Sequence, residues 1–375
     1  MTSRLREDEI SNMAGAIIFT AYVIAALLGT IFLTASLLNV YSSKRDRLKT
    51  SPTHLQLYAA LSVLSFSTLS YHMLNYLIFS YQEWALFRDL EVPTQLLGKS
   101  GVLSPPDQRA QLYIWTWLKS STLFLDFAHE LCESSANYWW TEQALLATMA
   151  RSVFMSIEGS FHFFALCASA LIFNFNDNQS PYRRGRADRF QSAGPRRRIP
   201  HLWAYAVMSQ ILPFSFVQNL FFLAILLHPI TKPNEVVWMP TPIVQIPPFA
   251  AYFILVALAP YVVDTFAFIP VVLIIRLLLL CPLIIAMVAP IGWGKTPVKA
   301  RDVYSPSQDT YIMFGIGAVN LLCLQSLVAF IYSGYSFGSV ISAIEQPAVG
   351  ALGWDYMIAL GSTGVWYFIN GRALT

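Results

Sequence analysis

The chain alternates long apolar runs with short polar ones. Ala14 to Tyr41 and Leu55 to Tyr81 are each long enough to cross a hydrocarbon layer of about 30 Å as helices. Further runs follow at Gln111 to Glu133, His201 to His228, Pro248 to Val263, Phe266 to Pro290, Thr310 to Ser333 and Val349 to Asn370. The stretch Trp139 to Phe175 is too long for one untilted span and too interrupted for two. The pattern predicts an all-α fold, a polytopic transmembrane bundle of eight or nine spans in a single domain over residues 1–375. Residues 83–110, punctuated by Pro93, Gly98, Gly101, Pro105 and Pro106, read as a non-cytosolic loop.

Composition agrees: 55% of residues are hydrophobic and 12% charged, with mean hydropathy +0.51, where soluble chains carry roughly a quarter charged residues. The net charge of +3 comes from one loop, 177–199, whose cluster Arg183, Arg184, Arg186, Arg189, Arg196, Arg197 and Arg198 is interrupted by only one acidic residue, Asp188. Beside apolar spans, that cluster marks a cytosolic loop and not a nucleic-acid footprint. Lys44, Arg45, Arg47 and Lys49 assign the first connection to the cytosol as well, which puts the N-terminus in the lumen or exterior. Simple alternation cannot make both the arginine loop and the Lys295 to Arg301 loop cytosolic. A short or re-entrant ninth segment at Phe161 to Phe175 would repair the arginine loop. No cleavable targeting signal is expected, because the first apolar run far exceeds a signal-peptide core.

The third run carries the candidate chemistry. Lys119, Asp126, Glu130 and Glu133 are spaced seven, four and three residues apart, so one continuous helix would align them on a stripe bordered by His129. Each charge costs about 2.5–3.5 kcal/mol at a helix centre, which predicts that Asp126, His129 and Glu130 face the bundle interior. The bland alternative is a structural seam in which Lys119 neutralises one carboxylate. Trp115, Trp117, Phe124, Phe127, Tyr138, Trp139 and Trp140 surround the stripe. Glu142, Arg151, Glu158, Gln218, Asn219 and Arg276 are further polar positions in apolar runs, and Asp264 reads as a turn residue. Cys132, Cys167, Cys281 and Cys323 have neither disulfide-framework nor zinc spacing. No phosphate loop, GxSxG, HExxH, haem or iron–sulfur signature, or DDxxD motif occurs, which leaves proton chemistry on a lipophilic substrate, or transport.

The runs Leu125-Asp126-Phe127-Ala128-His129-Glu130-Leu131-Cys132-Glu133 and Tyr138-Trp139-Trp140-Thr141-Glu142-Gln143 belong to a set of five. The others are Ile199-Pro200-His201-Leu202-Trp203-Ala204-Tyr205, Phe216-Val217-Gln218-Asn219-Leu220-Phe221-Phe222, and Gln346-Pro347-Ala348-Val349 with Gly353-Trp354-Asp355. Together they resemble fungal integral-membrane terpene cyclases of meroterpenoid pathways, of the ascochlorin and ascofuranone type. The resemblance implies acid-promoted cyclisation of an epoxidised farnesyl chain on a prenylated aromatic substrate. It also implies no cofactor or metal, a multi-pass protein of the endoplasmic reticulum among membrane lipids, and functional coupling to a membrane epoxidase.

It does not designate the catalytic residues. The polar stripe does: Glu130 and Asp126 are the candidate proton donors, with His129 to orient or reprotonate the acid. Trp115, Phe127, Trp139, Trp140 and Asn219 are the candidate substrate contacts. A transporter or channel with an intramembrane charged pathway is the alternative.

Overall fold

A computed structural model describes residues 12–44, 52–88, 114–120, 122–158, 199, 201–228, 236–240, 242–288, 295–299 and 337–374. The arginine loop, the segment Phe161 to Phe175, the run Thr310 to Ser333 and most of the 83–110 loop lie outside them, as do the side chains of Phe124, Arg151 and Glu158.

The described chain is predominantly helical. Helix α1 spans Met13–Lys44 and α2 Pro52–Leu86; both are long and apolar enough to cross a membrane. They are followed by α3 (Ile114–Ser120), α4 (Leu123–Glu130), α5 (Ser135–Glu158), α6 (Leu202–Ile211) and α7 (Phe214–Leu227). Next come β1 (Val236–Pro240), α8 (Pro242–Leu258), α9 (Phe268–Leu278), α10 (Cys281–Val288) and β2 (Lys295–Lys299), then α11 (Phe337–Ala343) and α12 (Pro347–Leu374). The outward surface is apolar: Ile18, Leu28, Ile31, Leu38, Leu273 and Leu277 are all more than half exposed.

Three departures from the sequence pattern shape the molecule. The run His201 to His228 is not one span. Proline disfavours helical backbone in the residue before it, and Leu212, preceding Pro213, is extended at φ −90°, ψ 164°. The chain doubles back there and brings the rings of Tyr205 and Phe221 to 5.6 Å. At about 1.5 Å per residue, α6 and α7 are each too short to cross a bilayer.

The second departure breaks the expected third span. Ser120 turns its hydroxyl to the Thr116 carbonyl (2.9 Å), the Lys119 carbonyl accepts from the Asn12 N–H (2.6 Å), and Thr122 starts a new helix whose first turn bonds to the Thr122 carbonyl. Serine and threonine compete with the helix ladder in this way. The third departure is a two-stranded antiparallel ribbon, which pairs Val236 with Lys299 and Pro240 with Lys295 and so qualifies the all-α expectation. The run Phe266 to Pro290 is also bent, at Leu279 and Leu280 ahead of Pro282.

Helix α7 is the centre of the bundle. Twelve of its 14 residues are buried, the behaviour of a helix that is apolar on every side. Its Phe216 meets Phe66 (5.2 Å) and its Phe222 meets Tyr58 (5.3 Å), so α7 runs antiparallel to α2. Along α12, contacts advance in step from Asp355 through Ala359 to Trp366, which stacks on Phe222 at 4.4 Å, so those two helices run parallel. Burying a Phe or Leu of this kind is worth about 1.5–3 kcal/mol.

The bundle has two ends. At one, here called proximal, lie the α1–α2 connection and the C-terminal ends of α7 and α12. At the other, distal end, the last turns of α2 meet α3 and α4: Tyr81 lies edge-on to Trp117 at 5.6 Å, and the Tyr76 hydroxyl donates to the Leu123 carbonyl at 3.2 Å. The start of α5 is also distal. Tyr138 and Leu145 of α5 bond Val256 and Tyr252 of α8, respectively, which makes those helices antiparallel. Ser152, further along α5, bonds the Leu279 carbonyl, so α9 and α10 return toward the proximal end.

Candidate functional site

The polar residues of the expected stripe diverge once the helix is broken. Lys119 lies in the last turn of α3, 5.1 Å from the ring centroid of exposed Trp115, so the lysine meets an aromatic face and not the carboxylate of the bland alternative. Asp126 is exposed and both its oxygens accept from the Thr122 hydroxyl at 3.0 Å, a local bond at the start of α4. His129 reaches the turn between α8 and α9, where its Nε2 stands 3.4 Å from Asp264 Oδ1, with side-chain exposures of 38% and 87%. Asp264 is therefore the turn residue the pattern predicts. The expectation that all three face inward holds for Glu130 alone, because α4 starts afresh at Thr122 and is aimed independently of α3.

Glu130 is half-buried and joins α4 to α12. Pro347 opens α12 and has no N–H, so Ala348 supplies the first free backbone donor of that helix, and it donates to Glu130 Oε1 at 3.1 Å. Burial pushes the Glu130 carboxyl above the usual carboxylate range; the Ala348 N–H opposes that shift, and the neighbouring charges of Glu133 and Glu83 add to it.

The surroundings are aromatic. Phe127, one turn before Glu130 on the same α4 face, lies edge-on to Tyr76 at 5.0 Å. Trp139 and Trp140 meet at 4.8 Å and 85°, and Trp140 faces Tyr356 of α12 at 6.3 Å. Phe127, Trp139, Trp140, Tyr76 and Tyr356 belong to one packed cluster with Val349 and Ala348. Three of the candidate substrate contacts therefore gather around Glu130, while Trp115 stays on the rim of α3.

Asn219 does not join them. It is fully buried in α7 and donates to Ser65 Oγ at 3.1 Å. Ser65 and Tyr76 are eleven residues apart on α2, about 16 Å along its axis. Glu142, also buried, sits one turn beyond Tyr138 on α5.

Two residues absent from the expected set hold the site together. Buried Asn137 donates from Nδ2 to the Glu130 carbonyl (2.9 Å) and to Gln346 Oε1 (2.6 Å), tying α4, α5 and the entry to α12. Its own N–H is held by Ser134 Oγ at 3.1 Å. Gly350 is required: a Cβ there would collide with the Ile344 carbonyl oxygen. The sequence signals were Ser134 three residues ahead of Asn137 and proline at the first position of α12. Among the described residues, no three His, Cys, Asp or Glu side chains converge as a metal ion requires.

No family model, curated protein or solved structure matches this chain.

Proposed function

We propose that the protein is a polytopic, membrane-bound terpene cyclase that isomerises an epoxidised prenyl chain of a meroterpenoid, with Glu130 as the acid. The observation that carries this reading is a half-buried carboxyl, with a raised proton affinity, bonded to the start of α12 beside a cluster of aromatic rings. Glu130 gives its proton to the epoxide oxygen as the C–O bond breaks. A double bond of the same chain closes on the electron-poor carbon, and the carbon-bound proton lost at the end returns to the Glu130 carboxylate, so the acid is restored and no atom is gained or lost. The faces of Trp139, Trp140 and Phe127 attract the developing cation at about 0.5–2 kcal/mol each, and the apolar cluster excludes the water that would otherwise capture it as a diol. The resemblance of the α4–α5 and α12 segments to fungal membrane cyclases supports the substrate class.

On this reading the multi-pass protein lies in the endoplasmic reticulum membrane, with fewer crossings than the eight or nine apolar runs suggest, and lipid covers the apolar outward surface. The test is incubation of membranes containing the protein with epoxidised farnesyl-aromatic compounds, followed by product analysis. Cyclised isomer from the native chain and none from Glu130→Gln at equal protein level is the expected result. No cyclised product, with substrate-dependent flux in proteoliposomes, would instead identify a transporter.

A further inference from the structure

The two ends of the bundle differ in charge, and the fold assigns each charged segment to an end. The distal end holds Glu83, Asp126, Glu130, Glu133, Asp264 and Glu345 against Arg88 and Lys119. The connection from α2 to α3 begins and ends there, and it carries Asp89, Glu91 and Asp107 against Lys99 and Arg109.

The proximal end collects the cations. Lys44 closes α1, and the connection to α2 adds Arg45, Arg47 and Lys49 against Asp46. Arg372 lies in the last turn of α12. The C-terminal end of α7 is proximal, and only seven residues separate His228 from β1. No lipid-exposed extended segment crosses hydrocarbon, because its backbone polar groups would have no partners, so β1 stays at that end. Pairing with β1 brings β2, with Lys295 and Lys299, to the same end. The conflict between the arginine loop and the Lys295 to Arg301 loop thus disappears: the doubling-back at Pro213 removes one crossing between them, and the ribbon fixes both ends of the α8–α10 excursion on one side.

Positive charge marks the cytosolic side of a membrane protein. We infer that the proximal end is cytosolic and that the Glu130 site opens on the opposite, non-cytosolic side, from whose leaflet it draws its lipophilic substrate. A single helix from Gln111 to Glu133 would have carried Glu130 and Glu133 across to the cytosolic side; the break at Ser120 to Thr122 keeps them distal. The inference rests on the membrane reading above, and its choice of substrate class rests on the cyclase reading.

The test is sided thiol labelling in sealed microsomes, in a chain whose four cysteines are replaced by serine or alanine. Lys295→Cys should react with an impermeant maleimide before permeabilisation and Asp264→Cys only after it. Labelling of both from the outside, or the reverse order, would overturn the inference. If the cysteine-free chain does not accumulate, reporters fused to the native chain serve: the N-terminal one should resist protease in sealed microsomes and the C-terminal one should be digested, and the opposite result overturns the assignment. Neither readout depends on turnover, so an inactive protein with this sidedness would refute the cyclase reading while leaving the orientation intact.

Discussion

Glu130 and Asp355 are both carboxylates lent by one helix to the N-terminus of another, and they differ in how completely they are used. Asp355 is 5% exposed, and its two oxygens accept from the N–H groups of Phe214 and Ser215 at 2.8 Å each. Those donors belong to the first turn of α7, where the helix itself supplies no acceptor, so the carboxylate holds the hairpin turn at the centre of the bundle. Glu130 is half-buried and takes one N–H, at the longer distance of 3.1 Å, on a short helix near the bundle's rim. A buried carboxylate with a backbone N–H on each oxygen is a structural part, whereas a half-buried one with a single backbone partner keeps an oxygen to exchange a proton.

The contrast breaks most sharply at Asp355. Asp355→Ala leaves two buried N–H groups without acceptors at about 1–3 kcal/mol each, so folded protein should fall severely in detergent size-exclusion and thermal melting. Glu130→Gln can still accept from Ala348, and it should melt near the native temperature while turnover falls at least roughly 100-fold. A large loss of stability in that variant would make Glu130 a second Asp355. Gly350→Ala sets a Cβ against the Ile344 carbonyl and should cost about 1–3 kcal/mol, lowering melting temperature and activity together.

The pH profile sharpens the comparison further. A donor whose carboxyl is raised above the usual range is active while protonated, so turnover should fall as pH rises through that raised value, and the residual rate of Glu130→Gln should lack this limb. Stability runs with the same sign: burial favours the protonated form, so Glu130's contribution declines as pH climbs from the unfolded carboxyl value through the folded one. The smallest effect belongs to Asp126→Asn. Asp126 is exposed and accepts from the Thr122 hydroxyl at the start of α4, so its replacement should change turnover by no more than about twofold, the range of surface substitutions. A loss as deep as that of Glu130→Gln would return Asp126 to the reaction.

How far these regions could be read in the sequence follows the same division. Helices α1, α2 and α12 are uninterrupted apolar runs, and the structure extends each of them by only a few residues beyond the pattern. The central hairpin was illegible because Pro213 sits in a run whose hydropathy alone suits a span. The extended backbone at Leu212 and the contact of Tyr205 with Phe221 reveal the reversal. Glu130, Phe127, Trp139 and Trp140 could be singled out as costly or bulky residues in apolar surroundings. Their partners could not, since Ala348, Gln346 and Tyr356 come from more than two hundred residues downstream. The stripe itself was an artefact of assuming one helix across Ser120 to Thr122, where hydroxyl groups end the ladder. Strands at Val236–Pro240 and Lys295–Lys299 were hidden by their prolines, which confine them to an isolated ribbon.

That ribbon also bears on how the chain is assembled and how it can be cut. Its strands are neighbours only after residues 241–294 have been synthesised and packed, so the pairing closes last and completes a unit whose entrance and exit stand about 5 Å apart. Adjoining ends alone would let a short turn bridge the gap, but Tyr252, Val256 and Leu279 are buried against α5, so excision would strip that helix of its partners. The α8–α10 excursion is thus a closed lobe whose removal would be felt along α5.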